Sequence, residues 1–135
     1  MRHISILLLT LTATPALAQV SAIPPKIVSP SFDCTKAKPG SIDRVICKDR
    51  ELSILDRTMA QDYARAQSRL PRQQATELRA EQRLFIANRN RCMIRKADRQ
   101  PCIAFAYESR IQKIGEWIDW STARDKLDDK LGAAE

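Results

Sequence analysis

Apolar residues recur along the chain at steps of three and four, and nowhere do they alternate with polar ones long enough to support a sheet. SIDRVIC reads as a short helix capped by Ser41 and ending near Cys47. Asp49 then caps a longer helix whose stripe is Leu52, Leu55, Met59, Tyr63, Ala66 and Leu70, stopped by Pro71. Pro71 suits the entry to a third helix, about Arg72 to Met93, with Ala75, Leu78, Gln82, Phe85, Arg89 and Cys92 on one face. A fourth helix starts near Pro101 and carries Ile103, Tyr107, Ile111 and Ile114. The pattern predicts an all-α fold, a small disulfide-stabilised bundle of three to four helices.

Two parts of the pattern are irregular. After Ile114, Trp117 and Ile118 extend the fourth stripe and Leu127 and Leu131 continue it, but Gly115, Ser121 and Thr122 weaken helix formation, so 115–135 is a tail of uncertain helicity. Trp117 and Trp120 there either pack back on the bundle, the favoured reading, or form an exposed aromatic patch. The third stripe seats Gln82 and Arg89 beside Phe85 and Cys92, where a core face should be apolar. An inward arginine needs an acceptor, because a buried charge left unpaired costs several kcal/mol, about 3–5. Asp56 on the preceding helix is the natural partner. A polar seam of Asp56, Tyr63, Gln82, Arg89, Tyr107 and Arg110 would then fix helix register, and the same groups reading a ligand is the lesser alternative.

At the amino end, Arg2 and His3 precede an apolar run from Ile4 and an Ala16-Leu17-Ala18 cleavage pattern. Residues 1–18 read as a signal peptide cut before Gln19, with no lipid-anchor cysteine near the cut. Pro15 interrupts the run, which argues against a retained membrane span. Residues 19–31, rich in proline, read as an exposed leader, and 32–114 as the compact domain. Removing 18 of 135 residues leaves 117, enough for one small core.

Cleavage takes the single histidine with it. The mature chain then lacks a histidine base, a Ser-His-Asp or Cys-His arrangement and any imidazole metal ligand. Glu77 with Glu81 and Asp128 with Asp129 read as solvated pairs on an exposed face and in the tail, giving no cleft to shift a carboxyl pKa. No phosphate-binding glycine loop is present. The reading is a non-enzymatic protein without cofactor or metal.

Four cysteines, Cys34, Cys47, Cys92 and Cys102, in an exported chain imply two disulfides. Three pairings are possible. Cys34 with Cys47 and Cys92 with Cys102 is favoured, because each pair brackets a turn-bearing segment (KAKPGS and RKADRQP) and closes locally. The net charge of +7 falls to +6 when Arg2 leaves, so anionic partners are attractive and, in an exported protein, nucleic acid is improbable. Arg91, Arg95, Lys96 and Arg99 cluster around the second disulfide. They are either a solvated surface or a pre-organised cationic loop for a negatively charged target.

FDC (Phe32–Cys34), VIC (Val45–Cys47), ELSILD (Glu51–Asp56), Tyr63, LRAEQRLF (Leu78–Phe85), Arg89, Cys92, Cys102, Tyr107, Arg110 and Ile111 together resemble the lysozyme inhibitor LprI-like domain. The resemblance runs from about Phe32 to Ile114, with Phe85 where the family usually carries tryptophan. It implies an exported, periplasmic or secreted binding protein that inhibits lysozyme-type glycoside hydrolases. Insertion of the cationic loop into a lysozyme's carboxylate-bearing cleft is the expected mode. The alternative is a structural or adhesive module that holds anionic envelope polymers through the same loop.

Overall fold

A computed structural model describes residues 28–132; the expected signal peptide and most of the leader lie outside the described residues. Four α-helices follow in order: α1 (Ile42–Lys48), α2 (Arg50–Arg69), α3 (Arg72–Arg91) and α4 (Arg99–Gly132), with single 3-10 turns at Cys34–Lys36 and Cys92–Ile94. No strand occurs among the described residues.

The helix boundaries follow local chemistry. Ser41 Oγ accepts from the Arg44 amide at 3.2 Å and caps α1, after a turn in which Gly40 takes φ +76°, a left-handed conformation that suits glycine. Asp49 Oδ1 accepts from Leu52 N at 3.1 Å and caps α2. The buried Ser53 hydroxyl donates to the Ile46 carbonyl at 2.8 Å and ties α1 to α2. Pro71 opens α3 without a side-chain cap. Across that turn, Gln67 Nε2 donates to Ala75 O at 2.9 Å and strengthens a two-residue connection.

α4 packs most extensively against α2, and α1 and α3 complete the bundle around that pair. Leu52, Leu78, Ile46, Ile103, Tyr107 and Ile114 are the largest fully buried apolar side chains. Each aliphatic one contributes roughly 1.5–3 kcal/mol of transfer free energy. Both disulfides pair as favoured, Cys34 with Cys47 and Cys92 with Cys102. The first staples the 3-10 turn to α1 just before α2 begins, and the second closes the α3–α4 connection, so the antiparallel helices bring both to the end of the bundle where α2 starts.

The tail is part of the fold. α4 continues without a break through Gly115 to Gly132; Ile114 and Ser121 are fully buried and Trp117 and Ile118 pack against the core, while 125–132 are exposed. The hydroxyls of Ser121 and Thr122 both donate back to the Ile118 carbonyl, at 2.8 and 2.9 Å, which satisfies them inside the helix. Arg124 donates to Arg69 O at 3.3 Å, placing a cation at the carbonyl end of α2. None of the α-helices among the described residues is long and apolar enough at once to cross a membrane.

The end of the expected leader is also docked. Pro30 is buried, Arg57 Nε donates to Ser29 O at 2.8 Å, and Ser31 binds Asp56. Residues 29–31 form a strap on α2.

Candidate functional site

Five of the six residues expected in a polar seam, all but Tyr63, fall into two separate hydrogen-bond networks. In the first, Asp56 on α2 is 3 % exposed and accepts three hydrogen bonds. Tyr107 Oη donates to Oδ1 at 2.8 Å, and the backbone and side chain of Ser31 both donate to Oδ2 at 2.6 Å. Arg89 donates through Nη1 to Tyr107 Oη at 2.7 Å, and its Nε and Nη2 donate to Asn90 Oδ1 at 3.3 and 3.1 Å. Arg89 therefore does not pair directly with Asp56 as the stripe suggested. The tyrosine hydroxyl lies between them, because α4 intervenes between α2 and α3 at this level. The guanidinium also lies 5.9 Å from the Phe85 ring centroid and 5.7 Å from that of Tyr107, within cation–π range.

In the second network Arg110 on α4 is 5 % exposed and spends all of its donor sides on α3. Nε donates to Gln82 Oε1 at 2.9 Å, Nη1 to Glu81 Oε2 at 2.8 Å, and Nη2 to the Leu78 carbonyl at 3.3 Å. Gln82 Nε2 contacts Met59 Sδ at 3.1 Å, and Trp117 Nε1 donates to Glu81 Oε2 at 3.0 Å. Glu81 is thus no free surface carboxylate, contrary to its reading as half of an exposed pair. Tyr63 joins neither network and packs half-buried against the core. Ser31, Asn90, Glu81 and Trp117 were missed. Glu81 was legible only as the neighbour of Gln82, and Ser31 carried no periodic signal.

Burial above all, with the Asp56 charge adding and Arg89 opposing, pushes the Tyr107 hydroxyl well above the usual tyrosine range. Outside the networks, hydrogen bonds from Thr35, its side chain first, hold Asp33 below the ordinary carboxylate range.

The cationic loop is built differently from either network. Cys92–Cys102 closes it, and Arg91, Arg95 and Lys96 are exposed around Ile94, which is 82 % exposed. Arg99 departs from the expectation. It is the first residue of α4, half-buried, and donates through Nη2 to Met93 O at 3.3 Å, so it folds back across the loop it was expected to project from.

No curated protein and no solved structure matches this chain. A family model described as Lysozyme inhibitor LprI matches residues 34–116, a span that holds both disulfides, the cationic loop and all of both networks except Ser31 and Trp117. The chain belongs to the LprI lysozyme inhibitor family.

Proposed function

We propose that this protein is an exported inhibitor of lysozyme-type muramidases that works by seating the loop between Cys92 and Cys102 in the enzyme's cleft. The family supports the general activity. The observation that carries the mode is Ile94, an exposed apolar side chain at a disulfide-closed turn, flanked along the chain by exposed Arg91, Arg95 and Lys96. Glycoside hydrolases of this kind hold a pair of carboxylates in the cleft. A rigid loop with an apolar tip and flanking cations complements that arrangement and loses little ordering entropy on binding. Two disulfides are in keeping with an oxidising extracytoplasmic compartment.

Basic lysozymes repel a protein of charge +6 at long range, which slows encounter without opposing the local fit. The test is muramidase activity of several lysozymes with and without micromolar mature protein. Inhibition supports the reading, and full activity throughout rejects it. Co-sedimentation with envelope fragments that weakens with salt would instead favour the anionic-polymer alternative.

A further inference from the structure

We propose that the cleft between Trp117 and Trp120 on α4 binds a neutral saccharide chain. It is an open cleft of about 280 Å³, lined by Glu81, Lys113, Glu116, Trp117 and Trp120. The two indoles meet edge to face with centroids 6.5 Å apart. Trp117 is anchored by its bond to Glu81, whereas Trp120 is 42 % exposed and its N–H has no partner among the described residues. The Arg124 guanidinium lies 5.4 Å from the Trp120 centroid and steadies that ring.

Glu81 is set up as an acceptor. Arg110 and Trp117 both donate to Oε2, which leaves Oε1 without a partner among the described residues but fixed in direction. The charges of the lining are matched in pairs, Glu81 with Arg110 and Glu116 with Lys113 at 2.9 Å. An anionic ligand would meet two carboxylates, and a cationic one would meet Lys113 and Arg124. A pyranose ring presents apolar C–H faces to an indole and a rim of hydroxyls to a carboxylate, and it carries no charge. That is the ligand class this lining suits.

A second, more apolar groove of about 370 Å³, which includes the exposed Phe105, also has Lys113 in its lining. From Phe105 to Trp120 the helix rises about 22 Å, room for several rings end to end. The ligand expected is therefore an oligosaccharide.

The proposal does not rest on lysozyme inhibition. It is tested by titrating the ¹⁵N-labelled mature protein with chitotetraose, cellotetraose and the corresponding disaccharides. The Trp120 indole N–H signal should shift and saturate, more tightly with a tetramer than with its dimer. Trp120→Ala should weaken binding about tenfold, and Trp120→Phe, which keeps an apolar ring and loses the N–H, by about fivefold, the worth of one hydrogen bond. Unmoved backbone amide signals of Asp56 and Arg89, far from the cleft, in each variant report that the fold is intact. Absence of shifts with all four sugars, shifts confined to the 92–102 loop, or affinity unchanged in a folded Trp120 variant would overturn the proposal.

Discussion

Arg89 and Asp56 face each other across the Tyr107 hydroxyl, which accepts from the arginine at 2.7 Å and donates to the carboxylate at 2.8 Å. One oxygen on α4 thus satisfies a cation on α3 and an anion on α2. Without it, two charged groups, 9 % and 3 % exposed, each lose a partner. Tyr107→Phe keeps the ring against Phe85, whose centroid lies 5.4 Å away, and removes only the hydroxyl. Urea unfolding should show a loss of about 2–4 kcal/mol with helicity retained at zero denaturant. A loss under about 0.5 kcal/mol, the ordinary effect of a surface change, would show that the hydroxyl does not hold the three helices together.

The same hydroxyl sets an alkaline limit. Its pKa is raised in the folded protein, chiefly by burial, so the unfolded chain releases that proton first, near 10.0. The stabilisation from a neutral Tyr107 is complete below that pH and is lost as pH rises toward the folded value. Above about pH 10 the stability of the wild type should fall more steeply than that of Tyr107→Phe, since only the wild type carries this ionisation. Parallel pH profiles would contradict the assignment.

The strap at the amino end should matter for stability. Ser31 supplies two of the three hydrogen bonds to Asp56, one of them from its side chain. Ser31→Ala leaves the backbone donor in place and should cost about 1–2 kcal/mol in denaturant unfolding. Truncation to Phe32 should cost more, because both donors and the buried Pro30 go together. Equal stability of the truncated and mature chains would show that the strap contributes nothing.

The bundle was legible from the sequence because its information is local. Ser41 and Asp49 sit where caps belong, and Leu52, Leu78, Ile103 and Ile114 repeat at helical steps, so four helices and both disulfides could be read in order. The inward turn of Gln82 and Arg89 was legible too, since each lies on a stripe whose other members are apolar, whereas on α4 it is Arg110 and not Ile111 that is buried. Partner choice was not legible, because it depends on how helices cross. Arg89 reaches Tyr107 on α4 before it reaches Asp56 on α2, and Arg110 selects Glu81, a residue whose own helix face gave no hint of burial. The sequence leaves the helicity of the tail open for the same reason. Gly115 and Thr122 carry poor helix propensity, but α2 and α3 supply the packing that propensity alone leaves out.

Gly115 gives that point a direct test. It lies inside α4, where glycine costs about 1 kcal/mol relative to alanine. A Cβ added there would meet nothing within 4 Å. Gly115→Ala should therefore stabilise the protein by roughly 0.5–1 kcal/mol, visible as a higher thermal midpoint. Destabilisation would mean that α4 bends or is approached at Gly115.

The cationic loop separates two kinds of arginine. Arg95 and Lys96 are exposed, and truncating them together should leave unfolding unchanged while weakening lysozyme inhibition about tenfold, with a smaller effect at high salt. Ile94→Ser should weaken inhibition at any salt, because its contribution is apolar area. Arg99 is bonded to the Met93 carbonyl, so Arg99→Ala should act through loop order, loosening amide protection across 93–98 along with inhibition. Replacing Cys92 and Cys102 by alanine removes a bond worth about 3 kcal/mol in the loop-entropy model and frees the whole segment. That variant should remain helical and lose most of its inhibition, as pre-organisation of the loop requires. If it inhibits as well as the wild type, rigidity is not what the second disulfide contributes. If Arg95, Lys96 and Ile94 can all be removed at no cost to inhibition, the inhibitory surface lies elsewhere on the bundle.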